Sequence, residues 1–71
     1  MNIIEKNAVE NLLFVDPIQL NDDLCLVKIY TEAYYSEKRG LAVYYEGEEI
    51  THDVDDELKE KLISYFKEWV V

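Results

Sequence analysis

Apolar and polar side chains alternate from Leu24 to Tyr35, and the rest of the chain arranges itself around that stretch. A period of two is the pattern of a strand with one face on a core. The odd positions are Cys25, Val27, Ile29, Thr31, Ala33 and Tyr35, and they are mostly apolar. The even positions are Leu24, Leu26, Lys28, Tyr30, Glu32 and Tyr34, amphipathic and then polar toward the following turn. That turn, Ser36-Glu37-Lys38-Arg39-Gly40, leads into a second run, Leu41–Tyr45. The reading is therefore two long strands, 24–35 and 41–45, in one hairpin. Pairing Tyr35 with Leu41 sets Ala33 against Val43 and Thr31 against Tyr45 on the core side. On the other side Glu32 faces Tyr44, with Tyr30 and Tyr34 diagonal to it and within reach of aromatic side chains. This second face is a Tyr/Glu surface that core packing does not require.

Before the hairpin, Ile4, Ala8, Val9, Leu12 and Leu13 recur at steps of three to five and predict a helix over residues 3–13, with extended structure as the alternative. Glu5 in its first turn suits the positive end of the helix dipole. Leu12-Leu13-Phe14-Val15 is a short apolar run that Asp16-Pro17 breaks, because proline bars helical geometry at the residue before it and lacks a ladder donor. A strand at Ile18-Gln19-Leu20 is accordingly an edge strand. Asn21-Asp22-Asp23 reads as the turn back into the centre. Beyond Tyr45, a two-residue turn at Glu46-Gly47 brings Ile50 opposite Val43 on the core side, whereas one straight strand would send Ile50 to the Tyr/Glu face. A bulged register is the alternative there, since glutamate is not the favoured residue before the glycine.

The last element has the clearest signature. Leu58, Leu62, Tyr65, Phe66 and Trp69 form one stripe at helical spacing, widened by Ile63 and Val70. Asp53 or Asp55 caps its start, Asp56 and Glu57 complement its positive end, and Glu57 precedes Lys61 by four residues in the favourable order. Together the elements predict an α+β fold: a short N-terminal helix, an antiparallel meander of three to four strands, and a C-terminal amphipathic helix across one face. All 71 residues belong to a single small domain.

Composition adds one tension. A chain of this length buries only about 60 % of the surface its unfolded form exposes, yet 49 % of its residues are hydrophobic, with six tyrosines, two phenylalanines and one tryptophan. Some of that surface is expected to stay exposed or to meet a partner, which favours binding over catalysis in a deep pocket. The net charge of −9 excludes direct nucleic-acid binding, which relies on neutralising phosphates with Lys and Arg, and disfavours an anionic membrane. A basic protein surface is what such a field attracts. A lone cysteine, Cys25, offers neither a disulfide nor a CxxC pair, and its place among Val27 and Ile29 reads as a buried, inert thiol. The N-terminus carries no basic, then apolar, leader pattern and no run approaches a membrane span, so a cytoplasmic location is expected.

Charge is concentrated in one place. Glu46, Glu48, Glu49, Asp53, Asp55, Asp56 and Glu57 are seven acids with no Lys or Arg among them, and the remainder of the chain is nearly balanced. Helix capping and dipole effects account for the later ones, while the whole array resembles the charge of a phosphate backbone. The stretch around His52 lacks the calcium-loop pattern, and no second His or Cys supports zinc. Ser36 and Ser64 lie in no nucleophile motif, and Gly40 and Gly47 do not make a phosphate loop. No cofactor, metal or catalytic group is expected.

The leading reading is a non-enzymatic binding module or inhibitor. Its surface is Tyr30, Glu32, Tyr34 and Tyr44 with the acids Glu46, Glu48, Glu49, Asp53, Asp55, Asp56 and Glu57. Its partner is a basic protein, with a nucleic-acid-binding enzyme as the leading kind. In charge and size, though in no motif, the chain resembles virus-encoded inhibitors that mimic DNA or cover the basic site of a host enzyme. The alternative is an assembly subunit, a homodimer built on exposed apolar positions such as Leu24, Leu26 and Trp69 together with the tyrosine surface.

Overall fold

The computed structural model describes residues 3–28 and 31–69. The expectations placed on Ile29, Tyr30 and Val70 lie outside the described residues. Helix α1 (Ile3–Glu10) passes into a 3-10 turn, Asn11–Phe14. Five strands follow, β1 (Ile18–Gln19), β2 (Leu24–Lys28), β3 (Thr31–Ser36), β4 (Gly40–Tyr45) and β5 (Glu48–Glu49). A second 3-10 turn, Thr51–Asp53, leads into helix α2 (Asp56–Trp69). The sheet is antiparallel and its spatial order is the chain order, a meander with β1 and β5 at the edges. The α+β architecture is as the residue pattern predicts.

One boundary differs. Residues 24–35 are not a single strand: β2 ends at Lys28 and β3 returns beside it, with Leu24 against Ser36 and Val27 against Ala33. This reversal raises the strand count to five. The pairing of β3 with β4 is the expected one, Tyr35 with Leu41, Ala33 with Val43 and Glu32 with Tyr44. The N-terminal helix is also shorter than residues 3–13, since its last turn tightens from Asn11 onward.

Alternation decides what the sheet buries. Cys25, Val27, Thr31, Ala33, Tyr35 and Val43 point to one face and are buried there, under Val9 and Leu12 from the N-terminal segment and Leu58, Leu62 and Phe66 from α2. The Phe66 ring stacks on Tyr35 with centroids 5.7 Å apart. Burial pushes the Cys25 thiol up from its ordinary pKa, and the nearby charge of Asp23 adds to the effect. Tyr65 ties α2 to the N-terminal segment by donating its hydroxyl hydrogen to the Val15 carbonyl, 2.9 Å. Ile4 and Trp69, each from one of the helical patterns, stay outside this core, 71 % and 48 % exposed.

The connections behave as their side chains dictate. The Asn21 Oδ1 accepts hydrogen bonds from the Asp23 and Leu24 N–H groups, 2.9 and 3.0 Å, which closes the turn before β2. Ser36 donates to Asp23 Oδ2 at 2.6 Å and accepts from the Lys38 and Arg39 N–H groups, so one buried hydroxyl organises the β3–β4 turn. At the β4–β5 turn, Glu46 has φ 51° and Gly47 φ 82°. Both angles are those of a type I′ turn, whose twist matches the flanking strands. Tyr44 then meets Glu49 in register, and the Ile50 N–H donates to the Val43 carbonyl at 2.8 Å. Ile50 is buried, on the core side as expected.

Candidate functional site: the uncovered face of the sheet

Both helices pack on the face that carries Val27, Ala33 and Val43. The opposite face carries the even-numbered side chains of β2, β3 and β4, of which Leu24, Leu26, Glu32, Tyr34, Ala42 and Tyr44 are half-buried. Strand register sorts this face into rows. Ile18, Leu26, Tyr34 and Ala42 lie side by side across four strands, an apolar row. Two residues along, Lys28, Glu32, Tyr44 and Glu49 form a charged row with a tyrosine in it.

The tyrosines and the acid are joined. The Tyr34 and Tyr44 rings meet edge to face with centroids 5.9 Å apart, a geometry that sets the positive edge of one ring against the negative face of the other. The Tyr34 hydroxyl donates to Glu32 Oε2 at 2.8 Å, and Lys28 Nζ lies 3.1 Å from Glu32 Oε1. The bond from Tyr34, followed by that from Lys28, holds the Glu32 carboxyl below its ordinary pKa. Conversely, donating to Glu32 raises the Tyr34 phenol above its ordinary value. The face therefore presents a carboxylate bonded to one ring of the pair and in register with the other.

Among the residues singled out by the sequence, Glu32, Tyr34, Tyr44 and Glu49 come together on this face. Glu46 lies in the turn beside it. Glu48 pairs with Tyr45 and so takes the other side of the sheet, at its exposed edge. Asp53 sits in the second 3-10 turn, and Asp55, Asp56 and Glu57 at the start of α2. These last three have cations near them: Lys6 Nζ is 3.8 Å from Asp55, Lys59 Nζ 3.3 Å from Asp56 and Lys61 Nζ 3.4 Å from Glu57. Among the described residues no ion pair reaches Glu46, Glu48, Glu49 or Asp53, although the Thr51 hydroxyl donates to Glu49 at 3.0 Å. The acid-rich stretch thus divides into a helix-start group partly neutralised by lysines and a β4–β5 group that faces solvent uncompensated.

Glu46 is the odd residue of that second group. Left-handed backbone is costly for a side chain with a Cβ, and type I′ turns favour Asn or Asp at this position because their short polar side chains bond locally. Glutamate holds the position here at φ 51°.

Two contributors escaped the sequence reading. A shallow recess opens above Ala42, walled by Leu24, Tyr34 and Tyr44, with Glu32 toward one end and Arg39 toward the other. The parity of Ala42 already put it on the Tyr face, and its small side chain was the available signal. Arg39 lies in a turn, where alternation gives no direction. Among the described residues no group of three or more His, Cys, Asp or Glu is placed to hold a metal ion, and no helix is long and apolar enough to cross a membrane. Compared with known proteins, the chain matches no family model, no curated protein and no solved structure.

Proposed function

We propose that this chain is a non-enzymatic binding module, an inhibitor of a basic protein, and that the uncovered sheet face with its β4–β5 end is the surface it uses. The observation that carries this reading is the Tyr34–Tyr44 ring pair, with Tyr34 bonded to Glu32, on the face opposite the two helices and bordered by carboxylates that have no cation partner among the described residues. Tyrosine gives large contact area and a polar tip at low entropic cost, as recognition surfaces require. The uncompensated acids supply long-range steering toward a basic surface. A nucleic-acid-binding protein is the favoured kind of partner, because its binding site is already shaped and charged for an array of negative groups. Affinity capture from the natural host at low and high salt, followed by surface-plasmon kinetics on the captured protein, tests the reading. Association should slow steeply with added salt, and Glu46, Glu48 and Glu49 changed together to Gln should flatten that dependence. A partner whose association ignores both salt and these substitutions would rule out the acidic surface as the binding site.

A second reading, self-assembly, draws on five large apolar side chains exposed among the described residues, Ile4, Phe14, Ile18, Leu20 and Trp69, with Phe14 84 % open to solvent. Apolar contacts survive high salt, so sedimentation at 1 M salt separates the two: a dimer there favours assembly, a monomer favours the charged partner.

A further inference from the structure

The recess above Ala42 defines what the partner must bring. Its floor is the smallest side chain of the apolar row, between the larger Tyr34 and Leu26 on one side and Tyr44 two residues along β4. Leu24, Tyr34 and Tyr44 are the larger apolar and aromatic side chains that line the recess with Ala42, and Gly47 of the β4–β5 turn completes its lining near Tyr44. Such a depression leaves apolar wall area in water, and an apolar side chain placed in it removes that area. Charge is laid out along the same groove. Glu32, bonded by Tyr34 and Lys28, stands at one end, with Glu49 on the far side of Tyr44 in the same row, and Arg39 stands at the other end.

We infer that the Ala42 recess receives a single apolar side chain from a basic protein segment, whose neighbouring lysines or arginines lie over the Glu32–Glu49 end of the groove. The inference rests on the preceding reading, that the partner is a basic protein, and adds the anchor that fixes its position. A second copy of this chain is the wrong occupant on charge grounds. Each copy carries a net −9, and on this face Lys28 and Arg39 are outnumbered by Glu32, Glu46 and Glu49, so the summed field opposes stacking two copies. Anchor and charge have separate work to do: the buried side chain sets how long the segment stays, and the carboxylates set how fast it arrives.

The test is a chemical-shift titration of the full chain with synthetic dodecapeptides. One has a central leucine flanked by lysines, the second has serine in place of the leucine, and the third has glutamates in place of the lysines. The leucine peptide should bind about tenfold more tightly than the serine peptide, the scale of one buried aliphatic side chain. It should also move the amide signals of Tyr34, Ala42 and Tyr44. Ala42→Leu, which fills the recess without changing charge, should erase the preference for leucine while lysine peptides still outbind the glutamate peptide. Equal affinity for leucine and serine peptides, or shifts confined to other residues, overturns the anchor and leaves the basic-partner reading standing. Equal affinity for the lysine and glutamate peptides overturns that reading itself. Because the peptide comparison is made on the unsubstituted chain, its outcome does not depend on whether Ala42→Leu folds.

Discussion

The two faces of the central sheet are made from the same strands in the same register, yet they are buried to very different degrees. Val27, Ala33 and Val43 are fully buried under α2 and the N-terminal segment. Their immediate neighbours in sequence, Leu26, Tyr34 and Tyr44, remain half open. Alternation makes the division sharp, because each residue goes wholly to one face or the other. The covered face holds the fold together through close packing that leaves little freedom to change. The open face contributes less to stability and is correspondingly free to be shaped for recognition. Under the proposed function, a two-layer protein of this size would keep folding and binding on opposite faces of a single sheet.

The largest expected effects test the covered face. Phe66 is fully buried against Tyr35, so Phe66→Ala should cost about 3–5 kcal/mol. That is a large fraction of the stability of a small domain. Trp69 belongs to the same helical stripe but is half exposed, and Trp69→Ala should cost markedly less. Urea unfolding followed by circular dichroism measures both. Equal losses would mean that the core extends to the end of α2 and that the boundary drawn between covered and open surface is misplaced.

The matching experiment on the open face is Tyr44→Ala. Losing one edge-to-face pair should lower stability by about 1 kcal/mol or less. The same change should speed dissociation of a bound basic partner several-fold, as expected of a contact residue. A loss of stability comparable to that of Phe66→Ala would erase the distinction between the two faces.

Between these extremes lies Glu46, where fold and function are predicted to pull in opposite directions. Asn is the favoured residue at its left-handed position, so Glu46→Asn should raise stability by a few tenths of a kcal/mol, up to about 1. It should also slow association with a basic partner, because one uncompensated carboxylate is removed. Thermal unfolding and association kinetics on one sample check both signs. Unchanged association would mean that the strained glutamate has no part in recognition.

Much of this arrangement was legible in the alternation, and where it was not the reason is geometric. At Glu46-Gly47 a glycine marks the turn, and the parity of Ile50 confirms it, because a two-residue turn moves odd positions onto even ones. The reversal between β2 and β3 gives neither clue. Residues 28–31 contain no Gly, Pro, Asn or Asp, and the paired residues share parity, Val27 with Ala33 and Lys28 with Glu32. The apolar pattern runs through the turn unbroken and reads as one long strand. The sequence left Trp69 both on the helical stripe and among the exposed apolar positions, because helical spacing tells which side of a helix a residue takes, not how far along the axis the core reaches. In the acidic stretch the pairing of Glu57 with Lys61 was legible from their four-residue spacing, whereas that of Asp55 with Lys6, 49 residues earlier, arises only in the fold.

The smallest expected effect concerns the bond between Glu32 and Tyr34, and it has a definite pH window. The Glu32 pKa is held down in the folded state, chiefly by the Tyr34 hydroxyl and then by Lys28. Its contribution to stability is therefore present above the unfolded carboxylate pKa of about 4.3 and is lost as pH falls through the lower folded value. Tyr34 behaves oppositely. Its pKa is raised by donating to Glu32, so its contribution is present below the unfolded value of about 10 and is lost as pH rises through the folded one. Tyr34→Phe removes the hydroxyl and keeps the ring, which separates the hydrogen bond from the ring contact with Tyr44. In a carbon-detected titration, the Glu32 carboxyl of the Tyr34→Phe chain should titrate at higher pH than in the parent, though still below its ordinary value because Lys28 remains. Identical titration in the two chains would show that Tyr34 does not orient this carboxylate. Glu32 would then be one more surface acid rather than a charge tied to the ring pair of the open face.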